Sequence, residues 1–538
     1  MQPRSIPQMT GTVLALALLA GGLQQPLRAA KPDPAQVAQA VDQQLAQELP
    51  QYAASRAGRC DDVTFCRRVS LDVAGQLPTV EQLGLFALDP GSHKRQELVR
   101  QLLATPEYGR RWGRYWRDVI FYRSNDVRAL RAAAALEDFM ADRLNRNQPW
   151  DRIVTEILTA TGVIHLEGAT GLVMAQLGEP EPVAAEVSRI FLGIQIQCAQ
   201  CHDHPTDRWK REQFHHLAAF FPRARVRPVA TAGGRSFMVF SMDQPRRLRG
   251  RRVRLEHFMP DLDNPQARGK LMQPKFFLTG QSLPVGATDQ ERRQALARWI
   301  TSKQNPWFAK ALVNRMWHEL VGRGFYEPVD DMGPDREAVA PKTLELLAQA
   351  FIDADYDLKW LVETICLTEA YQQAVRNAPP EQEVPFARGC PTRLRSDELL
   401  TSLLQVLQVD LQPIRSRGRR FNGLAAARRR FQLIFGFDPS TSQEEIEGSI
   451  PQALFLMNSS ITRAMTARSG SMLERLLREY PDDAQAVEEL YLRCLARRPR
   501  ESEKRKALAY IRRVGNRTEA FEDLLWVLIN STEFLYRR

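Results

Sequence analysis

Apolar residues recur three and four positions apart along most of this chain, the spacing that gives a helix one buried face. Val37, Val41, Leu45 and Leu49 make such a stripe within residues 31–58, an Ala- and Gln-rich leader that predicts an exposed helix running into the fold. Further helices are predicted over Thr64–Val73, Lys94–Ala104, Leu136–Leu144 and Asp151–Thr159, with stop and start signals at Gly75, Pro78-Thr79 and Thr105-Pro106. The stripe Trp112, Tyr115, Trp116, Val119 and Ile120 is largely aromatic and predicts core packing. Glu186 to Gln197 continues the pattern through Val187, Ile190, Phe191 and Ile194. It would place Cys198 on the same buried stripe. Trp209 to Phe221 forms a second amphipathic segment, closed by Pro222.

The period changes after that. Residues 223–285 are rich in Arg, Gly and Pro, and short alternating runs at Ser236–Ser241 and Lys275–Thr279 predict a small β-rich module. Helical spacing returns over Arg292–Thr301, Pro306–Gly322, Thr343–Asp353, Leu358–Leu367, Asp397–Leu407, Gln452–Ala464, Asp483–Ala496 and Glu519–Tyr536. The expectation is a mainly α protein, with helical domains at 59–222 and 286–538 joined by the β-rich module. A local repeat runs through it. An apolar helix end, then Thr or Ser, Glu and an aromatic, recurs at Leu102–Tyr108, Ile365–Tyr371 and Leu528–Phe534. It reads as a packing device in which the hydroxyl caps the next helix.

The first thirty residues set the compartment. Arg4, the apolar run Val13 to Leu19 and the small residues Ala29 and Ala30 read as a secretory signal peptide over 1–30, too short to span a bilayer. An exported protein of the periplasm or cell envelope is expected, where disulfides are permitted and Cys60 and Cys66 are close enough in sequence to pair. The formal charge is +11, much of it arginine in Arg246–Arg254 and Arg415–Arg430. Export argues against nucleic acid as the partner. A redox partner protein or envelope enzyme, an anionic polysaccharide, or a membrane surface fits better.

Candidate chemistry concentrates in Gln197-Cys198-Ala199-Gln200-Cys201-His202-Asp203-His204-Pro205, which holds two of seven cysteines and two of eight histidines. Cys-x-x-Cys-His is the attachment pattern for c-type haem. Cys198 and Cys201 would be the thioether anchors and His202 the axial ligand; no distal ligand stands out among Met174, Met238, Met242, Met259 and Met272. The same residues admit a zinc site, with Cys198, Cys201 and His204 joined by His215 or His216 and His202 as a further donor. A metal-free dithiol is the third option. Outside this stretch, His318 reads as a core histidine, and Asp330-Asp331 as a turn that would cap or bind a cation. No phosphate loop, nucleophile elbow or His-Glu-x-x-His occurs, and no reaction is assigned.

Several segments resemble one known tandem. Asp61–Phe65, Gly75–Thr79, Trp112–Trp116, Leu144–Trp150 and the run from Gln197 through Pro205 resemble a cytochrome-associated domain of unknown function found in planctomycete-type bacteria. Asn305–Ala309, Asn314–His318, Pro328–Gly333, Tyr356–Leu361, Pro451–Leu454 and Asn530–Phe534 resemble its usual C-terminal partner domain, also of unknown function. The chain departs from the pattern at Thr206, where Phe is common, and around Thr441–Ser449. The resemblance implies an association with cytochromes mainly through this same motif, and the motif leads to the expectation of covalent haem c with electron transfer or redox partnership. The competing expectation is a non-enzymatic envelope scaffold stiffened by zinc.

Overall fold

The computed structural model describes residues 30–537 apart from 125, 233, 246, 249–250, 253, 377–382, 410–413, 417–418, 422 and 459–468. The expected signal peptide lies outside the described residues, as does the end of the helix expected over Gln452–Ala464.

The first half is built from α1 (Pro34–Glu48), α2 (Tyr52–Ser55), α3 (Asp62–Val69), α4 (Val80–Leu88), α5 (Lys94–Ala104), α6 (Pro106–Phe121), α7 (Ala133–Asn145), α8 (Trp150–Thr159), α9 (Gly171–Ala175), α10 (Pro180–Leu192) and α11 (Arg211–Ala218). Helix α1 is not the exposed leader that its composition suggests. Its stripe Ala38, Val41 and Leu45 is buried, and Asp42 accepts the backbone N–H of Glu369. Helix α3 continues as a π turn over Ser70–Ala74 and stops at Gly75, whose φ of 67° suits glycine. The aromatic stripe of α6 is core: Trp112, Tyr115, Trp116, Val119 and Ile120 are all buried, and Trp116 stacks on Trp150 with ring centroids 4.4 Å apart. Gly109 and Gly113 let α7 lie directly on α6, because a Cβ at either would fall 2.5 Å from the Ala141 carbonyl or 2.7 Å from that of Glu137.

The β-rich module is present and small. β1 (Gly162–Val163), β2 (Ala224–Thr231) and β3 (Gly234–Ser241) form an antiparallel sheet ordered β1-β3-β2. Pro228 is tolerated because β2 is an edge strand. β4 (Arg247–Leu248) pairs with β5 (Arg251–Arg252), and β6 (His257–Met259) with β7 (Lys270–Met272). Lys275–Thr279 is not a strand; only Lys275 makes a bridge, to Ser282.

The second half holds α12 (Asp289–Ile300), α13 (Pro306–Val321), α14 (Pro341–Asp353), α15 (Leu358–Leu367), α16 (Glu369–Gln372), α17 (Ser396–Leu407), α18 (Gly423–Phe435), α19 (Ile450–Asn458), α20 (Met472–Glu479), α21 (Asp483–Leu495), α22 (Glu501–Val514), α23 (Arg517–Ile529) and α24 (Thr532–Leu535). The single helix expected over Glu519–Tyr536 breaks at Asn530-Ser531. Ser531 caps α24, and Tyr536–Arg537 pairs as a strand with Thr392–Arg393.

Pro32–Arg538 is one compact unit. One hydrophobic core collects residues from Val41 to Ala387, and a second collects Leu71 and Leu77 with residues from Leu394 to Phe534. Buried ion pairs bridge the elements of the two. Arg111 on α6 reaches Glu319 at 2.6 Å and Glu398 at 3.1 Å, Arg117 reaches Asp397 at 2.7 Å, and Asp72 receives Arg537 and the Tyr371 hydroxyl. Burial alone would push the Asp397 carboxyl up, but Arg117, Arg114 and Arg428 together hold it at about 2. No helix among the described residues is long and apolar enough to cross a membrane.

Candidate functional site: an exposed cysteine corner

Helix α10 begins with Pro180 at its first turn and ends at Gly193, which turns left-handed at a φ of 68°. The reversal is held locally: the Ser188 hydroxyl donates to the Ile194 carbonyl at 2.9 Å. The helix therefore does not reach Gln197, and Cys198 does not extend its buried stripe. The chain instead enters a 3₁₀ turn, Ile196–Gln200. In that geometry residues three apart eclipse each other. Ile196 and Ala199 are buried, while Cys198 within the turn and Cys201 at its end are exposed free thiols.

His202 is exposed next to them. Its Nδ1 lies 2.7 Å from the Asp203 carbonyl, an atom that only accepts, so Nδ1 carries a proton, and in the neutral ring the lone pair is on Nε2. The rest of the motif is a clamp. Asp203 accepts the first backbone N–H of α11, from Arg211, at 3.0 Å and the Lys210 ammonium at 3.0 Å. These two donors hold its carboxyl below the usual range. The His204 N–H donates to the Trp209 carbonyl at 2.8 Å, and the ring Nδ1 accepts from the Thr206 N–H at 3.4 Å. Asp203-His204-Pro205 thus closes a loop and ties it to α11.

Beneath the corner lies a histidine pair. The Gln200 carbonyl accepts from His215 Nε2 at 3.0 Å, so His215 Nδ1 receives the Nε2–H of His257 at 2.8 Å. His257 Nδ1 faces Glu181 at 3.7 Å. Burial pushes both imidazoles down to about 4. Glu181 lies in the first turn of α10. The pair was not singled out in the sequence; two histidines forty-two positions apart, one on a helix and one on a strand, carry no local spacing signal.

The donors expected for zinc are dispersed by these bonds. Both ring nitrogens of His215 are engaged, and His216 Nδ1 is held by the Gln273 carbonyl at 2.8 Å. Among the described residues no three His, Cys, Asp or Glu side chains converge as a metal site. Met174, Met242 and Met272 are buried in the core. Cys60 and Cys66 are buried free thiols and not a disulfide.

A second stretch braces the corner. The Met332 N–H donates to the Gly193 carbonyl at 2.7 Å. Arg208 pairs with Asp335 at 2.8 Å, and Arg336 bonds both Asp331, at 2.8 Å, and the Thr206 hydroxyl, at 3.1 Å. A Cβ at Gly333 would overlap the Asp207 carboxylate, so Asp207 would have to shift to admit one. Asp330 is fully buried between Arg189, at 2.6 Å, and Arg315. The Asp330-Asp331 pair is therefore consumed by arginines. His318 is fully buried as expected, with Nδ1 2.8 Å from Glu327.

Comparison with known families places these two stretches. Residues 40–226 match the family model PSCyt2, described as a protein of unknown function (DUF1549), and residues 292–420 match PSD1, a protein of unknown function (DUF1553). The chain is a tandem of these two domains. No curated protein and no solved structure matches it. The cysteine corner belongs to the PSCyt2 segment and its brace, Asp330–Arg336, to the PSD1 segment. The corner is built by both domains.

Proposed function

We propose that the chain is an exported c-type haem protein that exchanges electrons with a partner protein in the periplasm or cell envelope. The observation that carries this reading is the presentation of the corner: two exposed free thiols, one in a 3₁₀ turn and one at its end, beside an imidazole whose Nδ1 is tied to Asp203 and whose Nε2 has no hydrogen bond among the described residues. That donor set fits covalent attachment. Cys198 and Cys201 would hold the porphyrin and His202 Nε2 would ligate its iron, with the Nδ1–H bond orienting the imidazole and raising its basicity. When bound, the group supplies reversible one-electron chemistry.

The protein's own contribution is rigidity and access. Asp203, the His204–Trp209 bond and the Arg336 contacts fix the corner. Its surface position would leave a cofactor edge open to a partner. The zinc scaffold has less support, because His215 has both ring nitrogens engaged and no three His, Cys, Asp or Glu side chains converge among the described residues.

Electron transfer is tested by spectroelectrochemical titration of the full chain matured with a c-haem attachment system. A reversible one-electron wave is expected. A protein that takes up haem but stays redox-silent would limit the group to a structural role.

A further inference from the structure

A cleft of about 920 Å³ opens far along the sequence from the cysteine corner. Three stretches of chain line it: Arg59 to Arg67 at the start of α3, Ala374–Arg376, and Leu495 to Arg500 between α21 and α22. Its walls carry six arginines, Arg59, Arg67, Arg376, Arg497, Arg498 and Arg500, against two carboxylates, Asp61 and Glu533.

Both carboxylates are already used. Asp61 caps α3 by accepting the Thr64 N–H at 2.7 Å, and Glu533 is gripped through both oxygens by Arg497, at 2.6 and 2.7 Å. Arg67 is likewise spent on backbone carbonyls of Glu533 and Tyr536, at 2.9 and 3.1 Å. Arg59, Arg376, Arg498 and Arg500 are different. They are exposed, and none makes an ion pair among the described residues. The backbone carrying Arg59 is pinned by a bridge to Gln373, and the loop carrying Arg498 by the Arg497 bond to its carbonyl at 3.0 Å. Four guanidiniums with no ion pair among the described residues thus line one concave space.

We infer that this cleft binds an acidic oligosaccharide, sulfated or carboxylated. Guanidinium forks match sulfate and carboxylate oxygens bidentately. Several positive groups spread around a space near the top of the usual range for small-molecule sites, roughly 300–1,000 Å³, call for anions repeated along a short chain. Among the described residues the lining holds no aromatic, so it lacks the stacking platforms that single-stranded nucleic acid uses. Among them it also holds no named strand on which an acidic peptide would add, only the single bridge of Arg59 to Gln373.

The test is isothermal titration of the full chain with a heparin-derived hexasaccharide, with trigalacturonate, and with a thymidine oligonucleotide and a poly-glutamate peptide of matched charge. Single-site binding of the sulfated or the carboxylated sugar is expected. The double variant Arg59→Gln/Arg498→Gln should weaken it by about tenfold or more and flatten its salt dependence. Arg235→Gln/Arg268→Gln, which removes the same charge from exposed positions of the β module, should leave it within about twofold. All four positions are exposed, so thermal midpoints should match the parent. Equal losses in both variants, or tighter binding of the oligonucleotide or peptide, would overturn the assignment.

Discussion

Asp330 shows how one side chain supports the cysteine corner from another domain. It is fully buried, and its charge is balanced by Arg189 on α10 and Arg315 on α13. Replacing it with Asn keeps the shape but takes the carboxylate partner from the buried Arg315, while Arg189 keeps only Glu186, at 2.6 Å. Breaking such a buried pair costs about 3–5 kcal/mol. The expected result for Asp330→Asn is a loss of that order in a urea titration, together with faster alkylation of Cys198 and Cys201 as α10 and its 3₁₀ extension loosen. The sequence announced the corner's thiols by spacing alone. It did not announce what Asp203 and His204 do, because a carboxylate that caps a helix eight residues on, and an N–H that closes a loop, have no periodic signature. Nor could spacing reveal that Gly193 ends α10 one turn before the cysteines. The apolar pattern runs on through Ile194 and hides the stop.

Among the elements, helices with one apolar stripe were the legible part. Lys94–Ala104 and Leu358–Leu367 are observed as expected. The repeated Thr/Ser-Glu-aromatic device is also real. Thr105, Thr368 and Ser531 each donate their hydroxyl to the carbonyl three residues back, at 2.7, 2.7 and 2.6 Å. Thr368 and Ser531 also cap the following helix, whereas Thr105 makes no cap bond to α6. Helices α18, α20 and α22 went unrecognised; their stripes are short and interrupted by arginine. What spacing cannot supply is which helices touch. The α6–α7 contact is one case, and it rests on two glycines. Gly113→Ala would push a methyl group into the Glu137 carbonyl. Such overpacking costs about 1–3 kcal/mol, more than the helix propensity gained. A lower denaturant midpoint with an unchanged slope is the expected outcome; higher stability would contradict the close approach.

For the whole molecule, stability and function can be probed through protons and through the cofactor. Asp42 joins α1 to the start of α16, and burial pushes its carboxyl up to about 7 while Arg56 pulls the other way. An unfolded aspartate titrates near 3.8. Between these values the native chain holds a proton that the unfolded chain has released, so stability declines as pH rises through that window and levels off above it. Asp42→Asn should flatten this slope when unfolding is followed from pH 4 to 8. A slope unchanged in the variant would assign the proton elsewhere.

The central claim is covalent haem on the cysteine corner, and intact-mass spectrometry of the denatured protein tests it most directly. The full chain is produced with a c-haem attachment system, beside a Cys198→Ala/Cys201→Ala variant. The parent should carry the mass of one haem that survives denaturation, with tryptic peptides placing it between Cys198 and His202. The double variant should carry none. A parent at its bare polypeptide mass, or haem retained by the double variant, would contradict the account.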